Sequence, residues 1–132
     1  MPLERIRVSD VLPAKPDVVY AAWLDADQHA KMTGGQKATV DAKVGGEYTA
    51  WDGYIVGRIV ALEPNVRIVQ TWRATGFKDD DGDSRLEVVF EEDPEGTKIT
   101  LVHSDLPEGS GGEYEQGWSD HYIEPMRAYF RG

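Results

Sequence analysis

The alternation of apolar and polar residues predicts a strand and two short helices near the start of the chain, followed by a run of strands and a long final helix. A strand is predicted from Arg5 to Leu12, where charged and apolar residues alternate. Pro16–Leu24 and Ala26–Met32 have apolar residues at helical spacing, and Pro16 suits a first helical turn. Further strands are predicted over Ala38–Ala42, Gly46–Trp51, Tyr54–Glu63, Val66–Ala74, Arg85–Glu92 and Thr97–Ser104.

Turn-forming residues separate these later strands. Asp52-Gly53 and Pro64-Asn65 are dipeptides that favour tight turns, and a Gly34-Gly35 pair marks the end of the second short helix. Because strands joined by tight turns run antiparallel, the middle of the chain predicts a meandering antiparallel sheet.

The last segment has an apolar stripe at four-residue spacing, which predicts an amphipathic helix. The stripe comprises Tyr114, Trp118, Tyr122, Met126 and Phe130. Ser110 and Glu113 form a capping-box pattern at the expected start of this helix. Pro125 should remove one backbone hydrogen bond and kink the helix.

The order of the predicted elements is that of an α+β domain. A sheet of about six to seven antiparallel strands buries its concave face under the amphipathic C-terminal helix, with two short helices after the first strand. The length is typical of a single domain, which we expect to occupy residues 1–132.

Several short strings, in their order and spacing, resemble the C-terminal domain of the activator of the heat-shock-protein-90 ATPase. They extend over most of the chain, from about Val8 to Phe130. They are Gly45-Gly46-Glu47-Tyr48, Asp52-Gly53-Tyr54-Ile55-Val56-Gly57, Leu62-Glu63-Pro64, Arg67-Ile68-Val69-Gln70-Thr71-Trp72-Arg73, Gly96-Thr97-Lys98-Ile99-Thr100-Leu101, Gly117-Trp118 and His121-Tyr122.

The resemblance implies a START-like, helix-grip fold, in which a cavity lies between the sheet and the long helix. The START-related superfamily includes lipid carriers, hormone receptors and polyketide cyclases, so the fold does not determine the function. In the eukaryotic activators an additional N-terminal domain carries much of the chaperone contact. No such domain is expected in this chain, and this expectation ranks a chaperone role below ligand binding.

The charge and composition of the chain limit the classes of partner that it is expected to bind. A net charge of −10 without a basic stripe argues against nucleic acid and against anionic membranes. No apolar run is long enough for membrane insertion, and no signal-peptide pattern is present, so a cytoplasmic location is expected. The acidic loop from Asp79 to Asp83 lacks the end ligands of a calcium loop and is expected to be a solvated turn. A monomer or weak dimer is the expected assembly.

The candidate site is an apolar cavity under the last helix. Trp72, Phe90, Trp118 and Tyr122 are its expected aromatic lining. Strand alternation and helical spacing add Leu101, His103 and Met126 to the predicted ligand-binding residues. An ordinary packed core would produce the same pattern, and both interpretations stay open.

His103 is the polar residue to single out, because it shares the predicted inward face with Ile99 and Leu101. An imidazole there either hydrogen-bonds within the core, which is the favoured interpretation, or reaches a ligand as a polar contact, an acid or a base. His29 and His121 are expected at the surface. The three histidines lack metal-ligand spacing, so no metal and no cofactor are expected.

Three functions follow from these observations. The sequence favours a non-catalytic binding module for a small hydrophobic or aromatic ligand. The second hypothesis is a chaperone-associated or stress-response interaction protein. The third is a cyclase-type enzyme with His103 as acid or base, which ranks last because catalysis usually needs at least two groups in defined roles.

Overall fold

The computed structural model describes residues 3–33, 35, 37–78 and 81–131, and in this part of the chain seven antiparallel strands form one open sheet. The strands are β1 (Glu4–Leu12), β2 (Thr39–Val40), β3 (Glu47–Ala50), β4 (Ile55–Glu63), β5 (Arg67–Ala74), β6 (Ser84–Asp93) and β7 (Gly96–Leu106). Their order in the sheet is β1-β7-β6-β5-β4-β3-β2. The helices are α1 (Pro16–Leu24), α2 (Ala26–Met32), α3 (Gly111–Trp118) and α4 (Glu124–Arg131), with a π-helical turn over Ser119–Ile123. The predicted α+β helix-grip fold is confirmed.

Tight turns join β3 to β4, β4 to β5 and β6 to β7, and a longer loop joins β5 to β6. Asp52 and Gly53 have φ values of 56° and 86°, which a type I′ hairpin turn requires at both central positions. Asn65 also has a positive φ, 62°, and the Val66 N–H donates to the Glu63 carbonyl oxygen at 2.9 Å. β1 pairs with the free edge of β7. Helices α1 and α2 therefore connect the two opposite edges of the sheet.

The core lies between one face of the sheet and the helices. On β6 the alternate residues Leu86, Val88 and Phe90 are buried, and on β7 Ile99 and Leu101 are buried beside them. Each such side chain contributes about 1.5–3 kcal/mol relative to an exposed position. The alternation therefore correctly predicted which face of these strands carries the core.

The last helical segment runs without a break over 111–131, with a π turn where the sequence predicts a kink. The Glu124 N–H bonds to the Ser119 carbonyl oxygen, five residues back, and Pro125 follows immediately. Proline has no N–H and its ring crowds the carbonyl four residues earlier, so a wider turn at this point accommodates it. The effect of Pro125 is thus a local π turn inside a continuous helix.

The capping box predicted at Ser110 and Glu113 is wrong. Ser110 has helical dihedral angles, and its hydroxyl donates to the Pro107 carbonyl oxygen at 2.5 Å. The carboxylate of Glu4 on β1 instead accepts hydrogen bonds from the N–H groups of Gly109 at 3.0 Å and Gly111 at 2.6 Å. Free N–H groups at a helix start need an acceptor, and here a residue more than a hundred positions away supplies it.

Some sequence predictions differ from the structure or fall outside the described residues. The strand predicted over Ala38–Ala42 is shorter and spans only Thr39–Val40. Gly34 of the Gly34-Gly35 pair, and Asp79 and Asp80 of the acidic loop, lie outside the residues that the structure describes. Within the described ranges, no helix is long and apolar enough to cross a membrane.

Replacing Glu4 by Gln should lower the melting temperature at pH 7 and speed amide hydrogen exchange at Gly111. The hydrogen bonds from the Gly109 and Gly111 backbone hold the pKa of the Glu4 carboxyl below its ordinary value. This stabilisation is therefore present above the unfolded-state pKa and is lost as the pH falls through the folded-state pKa. The difference between wild type and variant should shrink below about pH 4.

The control for this experiment is Glu108→Gln, which removes an exposed carboxylate from the loop that contains Gly109. It should leave both the melting temperature and the Gly111 exchange rate unchanged. Equal melting temperatures for wild type and Glu4→Gln at pH 7 would contradict the role of Glu4 as the helix cap.

Candidate functional site

A cavity of about 390 Å³ lies between the β3–β4 turn, β5 and the helical segment that ends the chain. Its sheet side is lined by Trp51, Tyr54, Ile55 and Trp72. Its helix side is lined by Glu113, Tyr114, Gly117, Trp118, His121 and Tyr122. Tyr54, Glu113 and His121 are exposed, so the cavity opens to solvent beside them.

Helical spacing assembles one wall of the cavity. Tyr114, Gly117, Trp118, His121 and Tyr122 stand at positions i, i+3, i+4, i+7 and i+8, and such residues share one face of a helix. Gly117 matters because it has no side chain: a β-carbon added there would meet no atom within 4 Å. The open space beside Gly117 belongs to the cavity.

Trp72 on β5 lines the cavity and is the centre of an aromatic cluster. Its ring centroid lies 5.1 Å from that of Tyr114 and 5.8 Å from that of Trp118. The His103 ring packs edge-to-face on Trp72 at 4.6 Å. Edge-to-face aromatic pairs are each worth about 0.5–1.5 kcal/mol beyond their burial, so these contacts hold the wall in one arrangement.

A chain of hydrogen bonds fixes Trp118 to the sheet through His103. The Ser84 hydroxyl donates to the Trp72 carbonyl oxygen at 2.6 Å, and its oxygen lies 2.8 Å from His103 Nε2. Nε2 therefore carries the proton and donates to Ser84, which leaves Nδ1 to accept from the Trp118 indole N–H at 3.0 Å.

His103 is a hydrogen-bonded core histidine in this arrangement. It is 0% exposed, and burial lowers the pKa of its imidazole to about 3. Both ring nitrogens have partners within the core. The structure thus agrees with the core interpretation, and His103 does not line the cavity.

His29 is buried at 3% exposure, so its predicted surface position is wrong. Its Nδ1–H donates to the Trp23 carbonyl oxygen at 2.9 Å, and its Nε2 accepts from the Tyr122 hydroxyl at 3.0 Å. The rings of Trp23 and Tyr122 pack edge-to-face on the His29 ring, with centroids 5.0 Å and 5.6 Å away. Burial lowers the pKa of His29 and raises that of Tyr122. The phenol at the base of the cavity is therefore tied to a neutral imidazole.

The structure brings three of the seven predicted ligand-binding residues to the cavity wall and places four in the core. Trp72, Trp118 and Tyr122 line the cavity. The residues that lie in the core are Phe90, Leu101, His103 and Met126. Phe90 packs edge-to-face on Tyr20 of α1 at 5.6 Å. Helix α1 covers this part of the sheet, so the open space lies nearer the β3–β4 turn.

Sequence reasoning missed Trp51, which sits at the mouth of the cavity. Its φ of 56° is in the left-handed region, an uncommon conformation for a bulky residue. Its ring contacts that of His121 edge-to-face at 5.2 Å, and the next residue, Asp52, donates its N–H to the Lys37 carbonyl oxygen at 2.8 Å. The observed strand ends at Ala50, one residue before Trp51, so the alternation predicted over Gly46–Trp51 could not place its ring. Helical spacing from Tyr114 would have found Gly117 and His121.

No group of three or more His, Cys, Asp or Glu side chains with metal-binding geometry occurs among the residues that the structure describes. Glu113 and His121 are the acid and the imidazole of the cavity lining. The chemistry of the lining is therefore that of an aromatic surface with a few polar groups at its rim.

The family model described as "Activator of Hsp90 ATPase homolog 1-like protein" matches residues 13–131. The chain belongs to this family. The resemblance predicted from the sequence is thereby confirmed, together with its START-like fold.

Individual relatives agree with this assignment. The chain is 26% identical over 95% of its length to an "Activator of 90 kDa heat shock protein ATPase homolog" from Dictyostelium discoideum. It spans about a third of the length of the curated relatives that it matches, 34% and 32%.

Two solved structures have the same fold over nearly the whole chain. An HSP90 activator from Plasmodium falciparum superimposes with a TM-score of 0.83 at 25% identity, covering 95% of this chain and 94% of that one. A protein from Chromobacterium violaceum does so with a TM-score of 0.77 at 28% identity, covering 97% and 98%.

The two buried histidines should make the folded protein less stable as the pH is lowered from about 6.5 to about 5. The unfolded chain protonates its histidines near pH 6.5, whereas folded His103 stays neutral down to about pH 3. Because the unfolded state then binds more protons, the free energy of unfolding should fall by up to about 1.4 kcal/mol per pH unit for each buried histidine. Urea unfolding at a series of pH values measures this slope.

The comparison variant is His103→Asn, which cannot titrate. It should be less stable at pH 7, and its stability should depend less on pH between pH 6.5 and pH 5 than that of the wild type. Nitrogen chemical shifts of the imidazole rings in the wild type provide a second readout that does not depend on the variant. Protonation of the His103 ring in the folded protein at pH 6 would contradict the hydrogen-bond assignment.

Proposed function

We propose that this chain is a non-catalytic binding module that takes a small apolar or aromatic ligand in the cavity beside Gly117. The observation that carries the proposal is a cavity of about 390 Å³ with aromatic rings on both of its sides. Ligand pockets in proteins start at about 300 Å³ and are mostly apolar, with a few polar groups. The size and the lining both support this role.

Preorganisation of the wall also supports ligand binding. Trp118 and Tyr122 are each held by a buried histidine, at 3.0 Å in both cases. A ligand would meet rings that are already in place, so little side-chain entropy would be lost on binding. The polar hydrogen bonds of these rings point to the core, which leaves apolar surface toward the cavity.

The geometry offers less support for the enzyme hypothesis. Both nitrogens of His103 are engaged by Ser84 and Trp118 beneath the cavity wall. An acid or base must reach the proton that it transfers, directly or through one water. A cyclase mechanism that relies on His103 has no path to a ligand in this arrangement.

Filling the cavity tests the proposal. Gly117→Leu places a side chain in the open space, and Leu is a better helix former than Gly by about 0.8 kcal/mol. The variant should therefore fold at least as well as the wild type and should bind ligands at least about tenfold more weakly. The readout is the shift of the Trp51, Trp72 and Trp118 indole N–H signals during titration with naphthalene and decan-1-ol.

The matched control is Gly112→Leu, on the same helix. A β-carbon at Gly112 also meets nothing within 4 Å, but this glycine lies outside the cavity lining. It should bind the probes as the wild type does. Two outcomes would contradict ligand binding in this cavity. In the first, Gly117→Leu binds the probes as tightly as the wild type does. In the second, no small molecule, neutral or charged, shifts the indole N–H signals.

A second candidate function is contact with a chaperone of the heat-shock-protein-90 class. Support comes from the relatives: the Plasmodium structure is described as an HSP90 activator, and the Dictyostelium relative as an activator homolog. Such a role would use the outer surface of the domain. It does not require the cavity to be open.

An ATPase assay tests this second candidate. Added to the host's own heat-shock-protein-90 homologue, the domain should bind it in a pull-down and raise its ATPase rate. Gly117→Leu should stimulate as well as the wild type, because a surface contact is independent of the cavity. Absence of both binding and stimulation would remove the chaperone role and leave ligand binding unaffected.

A further inference from the structure

The rim of the cavity carries an acid. Glu113 on α3 lines the cavity and is exposed. Among the described residues that line the cavity, none is a lysine or an arginine. The fixed charge of the lining is therefore negative.

Arg73, which follows Trp72 on β5, already has hydrogen-bond and ion-pair partners. Arg73 donates to the carbonyl oxygens of Asp81 at 2.6 Å and Lys78 at 2.8 Å, and it forms an ion pair with Asp83 at 3.4 Å. Its guanidinium also lies 5.7 Å from the centroid of the Phe77 ring. With these partners satisfied, Arg73 does not neutralise the rim.

Tyr114, on the cavity wall, follows Glu113 directly in the sequence. Burial is the main cause that raises the pKa of its hydroxyl to about 12, and Tyr54, Glu113 and Asp81 raise it further. Glu113 and Asp81 are the acids among these neighbours, so a cationic group is favoured over an anionic group at this place.

The rest of the wall is suited to a cation as well. The faces of tryptophan and tyrosine rings attract ammonium groups, and the attraction is stronger where water is excluded. Trp51, Tyr54, Trp72, Tyr114 and Trp118 all line this cavity. The net charge of −10 would also raise the local concentration of cationic ligands.

We propose that the cavity selects an organic cation, an alkylated ammonium group carried on a small apolar or aromatic body, with Glu113 at the rim as its counter-charge. This inference rests on the proposed ligand-binding function and adds the charge of the ligand to it. Aromatic rings would surround the alkylated nitrogen, and the apolar body would fill the space beside Gly117.

Three probes of matched shape test the charge preference. Phenyltrimethylammonium is the cation, tert-butylbenzene is its neutral isostere, and benzenesulfonate is an anion of similar size. Dissociation constants come from the indole N–H shifts of the wall tryptophans. We expect the cation to bind at least about fivefold more tightly than the neutral isostere, in line with about 1 kcal/mol of cation–π attraction, and the anion most weakly.

A pair of substitutions isolates Glu113 from the overall charge. Glu113→Gln should weaken phenyltrimethylammonium binding about threefold or more and leave tert-butylbenzene unchanged. Glu115 is also exposed and lies on α3 outside this cavity lining, so Glu115→Gln changes the net charge by the same amount. It should alter neither dissociation constant, and both variants should melt as the wild type does.

The outcomes separate the two proposals. Equal or tighter binding of tert-butylbenzene or benzenesulfonate would overturn the cation preference and keep the apolar ligand site. An effect of Glu113→Gln no larger than that of Glu115→Gln would overturn the counter-charge role of Glu113. Failure of all three probes to shift the indole signals would overturn the ligand site itself.

Discussion

The hydrogen bond from the Trp118 indole to buried His103 joins the last helix to the middle of the sheet, and the cavity wall depends on it. An imidazole at 0% exposure is stable only if it is neutral and both nitrogens have partners. Ser84 and Trp118 meet this requirement from opposite sides. The position of the helix over β5 and β7 is therefore constrained by a polar contact inside an apolar layer.

A second buried histidine constrains the same helix from another direction. His29 on α2 accepts from Tyr122 and donates to the Trp23 carbonyl oxygen, so it links the two short helices to the final one. Trp118 and Tyr122 are four positions apart along the helix. Their hydrogen bonds to His103 and His29 therefore fix the rotation of the helix about its axis. Gly117 and His121 then face the cavity, and the absence of a side chain at Gly117 leaves the space open.

The family fold and the rim of the cavity depend on different parts of this molecule. The fold is shared with the Plasmodium structure at 25% identity. The rim residues Trp51, Glu113 and His121 lie where the β3–β4 turn and the exposed side of the helix meet. Trp51 holds a left-handed conformation there, which costs energy in a non-glycine residue and persists because the surrounding contacts hold it. Substitutions at such positions would change the lining of the cavity without changing the sheet.

The sequence by itself determined the order of the helices and strands, because their signals are local. Periodicity placed both short helices with the bounds that the structure has, and Asp52-Gly53 and Asn65 marked real turns. The aromatic stripe and the order of the family strings identified the fold. These features could be predicted because each depends on residues within one element or at one turn.

Contacts between distant elements were decided only by the tertiary structure. Glu4 caps a helix whose first N–H, that of Gly111, is 107 residues away, and the local capping pattern at Ser110 pointed elsewhere. His29 lies in a polar stretch, yet a partner 93 residues away, Tyr122, buries it. Three of the predicted ligand residues reached the cavity wall, and Phe90, Leu101, His103 and Met126 did not. Strand alternation shows which side of a sheet is inward, but only the packing of the helices decides where that side is covered and where it stays open.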